Sequence, residues 1–303
     1  MIYVTGRTDF KIEEKTAITL GKFDGIHKGH QVLIQKILSK KNVMKTVVFT
    51  FDMNPNAAIS RINETLITTN EERRQVVEAL GVDYLYECSF TDEIRNCEAR
   101  DFVRKICKEL NIGYIAVGKD FKFGHNRAGD YRLLEEMSRE CGYEIDIINK
   151  EQYQGRDISS TYVREKIAEG DLDTVNKLLG YTFSISGKVS HGRKLGRTIG
   201  IPTTNLIPEA SKLLPPNGVY VSKAIVDGIV YKGVTNIGVK PTVSGDNIRT
   251  VETHIFDFDQ DAYSKYIKIE LYHFLRSEKK FSSVDELKKQ MESDIICTKS
   301  YQI

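Results

Sequence analysis

Strand-like and helical runs alternate from residue 17 to residue 148, and past Gly180 the alternation stops. Residues 17–20, 45–51, 84–88, 114–118 and 144–148 have the length and the apolar, β-branched or aromatic content of buried strands. Between them, residues 31–38, 71–80, 98–110 and 132–141 place apolar side chains at helical spacing. Thr69 is positioned to cap the second of these helices, and Gly81 and Gly142 to end the second and fourth. Such alternation predicts a parallel sheet with helices on its faces. Two more helical stretches, 160–169 and 172–179, follow. Residues 183–189, 219–226, 229–237, 251–258 and 267–275 then read as short strands, with Asp227-Gly228 as a two-residue hairpin signal. Only 283–295 returns to helical spacing. The expected fold is α/β: a parallel-sheet domain over 1–181, then an antiparallel β-barrel with a terminal helix over 182–303.

In parallel sheets ligands bind beyond the carboxyl ends of the strands. The first strand ends in Gly21-Lys22-Phe23-Asp24-Gly25-Ile26-His27-Lys28-Gly29-His30, directly before a helix. His27 and His30 therefore sit where free backbone N–H groups and the helix dipole favour anions. Two imidazoles there can hydrogen-bond a phosphoryl group as its charge builds. A metal site would need a Cys, Asp or Glu array at ligand spacing, and none completes it. Residues 117–130 set Lys119, Lys122, His125 and Arg127 among three glycines. By itself that stretch reads as a solvated basic loop. Ser159, Ser160 and Thr161 stand at a helix start with Arg164 one turn in, a pattern that by itself reads as a cap.

The second half carries a motif of its own at 191–205, from His191-Gly192-Arg193 through Arg197 and Gly200 to Pro202-Thr203-Thr204-Asn205. Its backbone can approach phosphates while Arg193, Lys194 and Arg197 offset their charge. The P-loop pattern is absent. Thr203 and Asn205 offer oxygen ligands suited to Mg²⁺ held mostly by phosphates and water. A nucleic-acid patch is the competing reading, but the basic cluster is short and lacks stacking aromatics. Glu252 lies in a β-rich run, where a lone Glu by default faces solvent.

Residues 21–30 closely resemble the GxFDGxHxGH signature of the HxGH nucleotidyltransferases, and within them the FMN adenylyltransferase module of bacterial FAD synthetases. Residues 117–130 resemble that family's VGxDFxFGxxRxGD segment, and 158–164 its ISSTxxR motif. Residues 196–205 resemble the riboflavin kinase signature GRTxGxPTxN, as do Gly218-Val219-Tyr220, Asn236-Ile237-Gly238 with Pro241-Thr242, and the run from Val251 to Phe258. The resemblance implies a Rossmann-like first domain and a bifunctional enzyme of flavin cofactor synthesis. The barrel would phosphorylate riboflavin to FMN with ATP and Mg²⁺, and the first domain would adenylylate FMN to FAD, releasing pyrophosphate. In the first domain it implies that His27 and His30 act in catalysis, and that Gly21, Phe23, Asp24, Gly25, Gly29, Ser160, Thr161 and Arg164 handle ATP. Asp120, Phe121, Phe123, Asn126 and Arg127 would form a flavin or nucleotide loop. In the barrel it implies His191, Gly192, Arg197 and Gly200 on ATP, Thr203 and Asn205 on the metal, Arg276 on flavin, and Glu252 as general base. Lys22 and Asp52-Met53-Asn54-Pro55 depart from the family pattern. An HxGH enzyme with a non-flavin substrate, a class I tRNA synthetase fragment and a non-catalytic flavin- or RNA-binding regulator stay open as alternatives.

At 303 residues the chain is long enough for two cores, and 40% hydrophobic with 28% charged residues is a soluble composition. A net charge of +2 gives no bulk argument for nucleic acid or membrane as partner. The five scattered cysteines, the lack of a signal peptide and the lack of a bilayer-length apolar run lead us to expect a reduced, cytoplasmic protein acting on small molecules. Oligomeric state is not encoded in any of these features.

Overall fold

In the computed structural model, which describes residues 1–52, 65–190, 200–241 and 247–303, the alternating half of the chain forms one parallel sheet. Its strands are β1 (Ile2–Arg7), β2 (Thr16–Leu20), β3 (Lys45–Phe51), β4 (Tyr84–Cys88), β5 (Ile112–Gly118) and β6 (Glu144–Ile148). They lie in the order β1-β4-β3-β2-β5-β6, every neighbour parallel. Successive residues of a strand point to opposite faces, and the burial follows suit. Ala17, Val48, Leu85 and Ala116 pack with Ile34 and Ile37 of α1 (Lys28–Leu38) and Val77 of α2 (Asn70–Ala79). Ile18, Val47, Phe49 and Val117 pack on the other side with Phe102, Val103 and Ile106 of α3 (Ala99–Leu110) and Leu134 and Met137 of α4 (Tyr131–Cys141). Each such buried Ile, Leu or Phe contributes about 1.5–3 kcal/mol. Thr69 caps α2 in a full capping box with Glu72, and Gly142 ends α4 in the left-handed region.

The sequence assigned no strand to residues 2–7. That segment is the half-exposed edge of the sheet, so it carries no buried apolar run to mark it. The helix after β2 leads to β3 on one side, while β5 lies on the other. The crevice outside β2 is thus the topological switch point, the expected position for a ligand.

By contact density the chain divides into Met1–Ser160 and Thr161–Ile303. The second unit contains α5 (Ser160–Glu169), which opens at the division, α6 (Leu172–Leu179), and a closed barrel. The barrel strands are β7 (Ser184–Ser190), β8 (Thr204–Leu206), β9 (Gly218–Val226), β10 (Ile229–Pro241), β11 (Asn247–Ile255) and β12 (Tyr266–Ser277), followed by α7 (Val284–Ser300). They run in the order β7-β8-β11-β10-β9-β12, all antiparallel, and β12 closes onto β7. Asp227 and Gly228 both have positive φ, 50° and 81°, as the tight β9–β10 hairpin demands. Asn176 of α6 ties that helix to the barrel, donating to the Leu271 carbonyl at 3.0 Å and accepting from the Phe183 amide at 2.7 Å. Among the described residues no helix is long and apolar enough to cross a membrane.

Candidate active sites

The turn between β2 and α1 is strained and stapled. Phe23 (φ 48°), Gly25 (φ 82°) and Ile26 (φ 35°) all occupy the left-handed region. A β-branched residue there costs on the order of 1–3 kcal/mol and persists only when its surroundings fix it. Asp24 Oδ1 accepts from the amides of Ile67 (2.8 Å) and Thr68 (3.4 Å), and the Gly25 amide donates to Thr68 Oγ1 at 3.1 Å. Gln31 Nε2 donates to the Ile26 carbonyl at 2.9 Å, and Ser160 Oγ to the Asp24 carbonyl at 2.9 Å. The positive φ favours glycine at position 25, and a side chain there would also meet Ile67 Cγ2 closely, at 3.0 Å. The Asp24 carboxylate is thereby a brace of the turn, and Ser160 joins the same network.

His27 is the N-cap of α1, its Nδ1 accepting from the His30 amide at 3.4 Å. The two imidazoles stack with centroids 3.7 Å apart, and the Phe23 ring lies 5.1 Å from His30. Burial pushes the His27 imidazole down to about 4, against a smaller upward pull from Asp120. Burial, then the His27 charge, holds His30 well below the ordinary histidine value. Both rings are therefore neutral near pH 7. Among the described residues His30 Nδ1, which is buried, has no hydrogen-bond partner, a polar atom that a ligand could satisfy. Arg164 lies four residues after Ser160 on α5, on the same helix face, with Thr161 between them.

A cavity of about 560 Å³ opens beside this turn, with Leu20, Gly21 and Lys22 on its wall. Phe121, Phe123, Asn126 and Arg127 line it, as the sequence grouped them, together with Phe49, Phe51, Phe90 and Phe102. Phe121 and Phe123 stack at 5.4 Å, and Phe51 meets Phe90 edge-on at 5.0 Å. Gly124, Asn126 and Arg127 are all left-handed, and a side chain at 124 would meet Ala99 Cα at 2.7 Å. Asp120 is not on the wall; it pairs with Lys150 at 3.1 Å. Asp52 accepts from Ser89 Oγ (2.9 Å) and the Phe90 amide (3.2 Å), which fixes the Phe90 side of the cavity. Residues 53–55 of the departing stretch lie outside the described residues.

In the barrel, His191, Gly192 and Arg197 lie outside the described residues, as does Thr242. Gly200 stands at the edge of that gap with φ 79°. Two cavities meet at Thr203, which belongs to both walls. One, about 340 Å³, is lined by Val189, Pro202, Thr204, Thr253 and residues 258–263. The other, about 310 Å³, is lined by Asn236, Glu252, His254 and Arg276, and is roofed by Leu287, Met291 and Asp294 of α7. Asn205 pairs with Glu252 across β8 and β11, and Glu252 with Asn236 across β11 and β10. Directly paired residues share a face, so Asn205, Glu252 and Asn236 form one row outside the barrel wall. That face is not bare: Glu252 is half-buried and Asn205 only 8% exposed. The donors in the row are hard oxygens that fit Mg²⁺. No group of three or more His, Cys, Asp or Glu able to hold a metal ion exists among the described residues. Arg276 points its guanidinium at Asp294, with Nε at 2.9 and 3.2 Å from the two carboxylate oxygens.

The lining aromatics Phe49, Phe51, Phe90 and Phe102 were not singled out from sequence. The available signal was Phe49 and Phe51 at the carboxyl end of β3, next to the switch point.

Comparison with known proteins matches two family models to successive parts of the chain. Residues 9–162 match the FAD synthetase family model, and residues 179–302 match the riboflavin kinase family model. The bifunctional riboflavin kinase/FMN adenylyltransferase of Bacillus subtilis is 36% identical over 289 residues, covering 93% of this chain and 91% of that protein. The enzyme of the same description from Escherichia coli K12 is 35% identical over 297 residues, covering 95% and 93%. A crystal structure from Streptococcus pneumoniae, described as a macrolide-efflux protein, superposes with a TM-score of 0.90 at 30% identity over 99% of both chains. With both domains present in the same order and nearly the whole length shared, the chain belongs to the family of bifunctional riboflavin kinase/FMN adenylyltransferases.

Proposed function

We propose that this chain phosphorylates riboflavin to FMN in its barrel and adenylylates FMN to FAD in its parallel-sheet domain, using one ATP in each step. The observation that carries the reading is the pair of family matches, in order, over two independent halves. We assign the adenylyltransferase to residues 1–181 and the kinase to 182–303. The substrates are riboflavin, FMN and ATP, and we place the enzyme in the cytoplasm, with no nucleic-acid or membrane partner.

In the kinase step the riboflavin 5′-hydroxyl attacks the γ-phosphorus of ATP, Glu252 takes the hydroxyl proton, and ADP leaves. The Glu252 cavity receives riboflavin, and the cavity on the other side of Thr203 receives the nucleotide, so the reacting groups meet at Thr203. Thr203 and Asn205 would hold Mg²⁺, which when bound neutralises the triphosphate. His191, Gly192, Arg197 and Gly200 supply phosphate contacts in this reading.

In the adenylyl step an FMN phosphate oxygen attacks the α-phosphorus and pyrophosphate leaves; the nucleophile is already ionised and needs no base. Catalysis is positioning and charge stabilisation by His27, His30, Ser160, Thr161 and Arg164. Two neutral imidazoles donate hydrogen bonds to the phosphates without titrating near pH 7. The aromatic 560 Å³ cavity is the place for the isoalloxazine ring, with Asn126 and Arg127 on its wall.

Crossed variants test this assignment. His30→Ala should stop FAD formation while FMN still accumulates from riboflavin. Glu252→Gln should lower riboflavin phosphorylation by roughly 10²–10⁴-fold and leave adenylylation of supplied FMN intact. Loss of both activities in either folded variant would refute two separate sites.

A further inference from the structure

Helix α7 is held down by little apolar burial. Of its seventeen residues only Asp294 and Thr298 are buried. The stripe that faces the barrel, Leu287, Met291 and Ile295, is only partly buried, while Val284 and Ile296 are 53% and 68% exposed. The two ends of the helix are also secured unequally. Ile295 packs on the cluster of Val219, Val234 and Phe256, and Lys232 Nζ caps the carboxyl end at the carbonyls of Lys299 (3.0 Å) and Tyr301 (2.6 Å). Among the described residues the amino-terminal half shows no such anchor beyond its local Ser283 cap and the Ser282–Glu286 bonds, and it is this half that puts Leu287 and Met291 over the Glu252 cavity.

Between the two halves lies the Arg276–Asp294 pair. Arg276 Nη2 donates to Asp294 Oδ2 at 2.6 Å and Nε to Oδ1 at 2.9 Å, a two-pronged contact from β12 to the helix. Gln290 Nε2 adds a bond to Asp294 Oδ1 at 3.0 Å, and Arg276 Nη1 donates to the Ser277 carbonyl at 3.0 Å. The side chains are 17% and 8% exposed, so the charges are largely out of water and removing one strands the other. A guanidinium so engaged is committed to the helix.

We propose that the Arg276–Asp294 pair is a latch that holds the amino-terminal half of α7 as the roof of the Glu252 cavity, and thereby sets how tightly riboflavin is retained. Arg276 and Asp294 are then positioning residues, acting on flavin through Leu287 and Met291. The proposal rests on the kinase reading of that cavity. With the latch open the roof is closed for a smaller fraction of the time, and each tenfold fall in that fraction weakens the apparent affinity about tenfold.

The test uses the full chain with Asp294→Asn, which keeps the size of the side chain and removes its charge. Quenching of riboflavin fluorescence on titration reads binding. Riboflavin dissociation constant and KM should both rise about tenfold or more, while kcat at saturation and the KM for ATP stay within a few-fold. Amide exchange should accelerate in residues 284–293 and remain slow in 295–300, and added riboflavin should restore the protection. Asp294→Glu, which keeps the charge and displaces the fork, should give the same pattern at smaller amplitude, and serves where Asp294→Asn fails to fold. Unchanged riboflavin affinity, or a fall in kcat without a change in KM, overturns the latch. If the wild-type chain binds no riboflavin, the kinase reading fails and this inference falls with it.

Discussion

At the scale of single residues, the two histidines were legible because spacing, glycines and a preceding strand all pointed to one turn. What the sequence did not show is that Asp24 and Asp52 act on the backbone: one staples the histidine turn to Ile67 and Thr68, the other fixes Phe90. Their partners are 38 to 44 positions away in sequence, and a carboxylate carries no mark of whether it will meet a ligand or an amide. The His27 environment makes a pH prediction. Its folded value is depressed to about 4 from the ordinary 6.5, so the unfolded chain binds the extra proton first. Its contribution to stability is whole above pH 6.5 and is lost as the pH falls toward 4. Urea unfolding of wild type and His27→Gln should therefore differ by a constant amount above pH 6.5, with the wild type losing more stability below it. A difference that is flat from pH 7 to pH 4 would contradict the buried, neutral imidazole.

At the scale of elements, most strands and helices of the first unit were readable because buried parallel strands are continuous apolar runs. Edge strand β1 was not, being half-exposed, and β8 was hidden inside a motif that drew attention for its chemistry. A second brace, invisible in sequence, joins α2 to β4: Glu87 is fully buried and accepts from Arg73 Nε at 2.9 Å and from the Tyr3 hydroxyl at 2.5 Å. Glu87→Ala would leave the Arg73 charge buried and unpaired, at a cost of about 3–5 kcal/mol. Equilibrium unfolding should show that loss; a change below about 1 kcal/mol, ordinary for an exposed residue, would mean the pair is solvated in solution. Strand β8 sets Asn205 beside Glu252, which the motif alone could not reveal, since register depends on two distant segments pairing. Asn205→Ala should raise the Mg²⁺ concentration needed for half-maximal phosphorylation of riboflavin and lower its rate, with adenylylation of FMN unaffected. An unchanged magnesium dependence would remove Asn205 from the metal site.

At the scale of the whole molecule, the end of the strand–helix alternation announced two architectures, a parallel sheet and a closed barrel, and each has its own cavities. The long basic motif of the barrel, residues 191–199, lies outside the described residues. The central claim is that both reactions reside in this one chain and occur in a fixed order. Its most direct test is a chromatographic time course of riboflavin with ATP and Mg²⁺, with pyrophosphate followed in parallel. FMN should rise first and then give way to FAD, with pyrophosphate appearing in step with FAD and not with FMN. Riboflavin left unchanged, or FMN that accumulates without FAD and pyrophosphate under excess ATP, would contradict it.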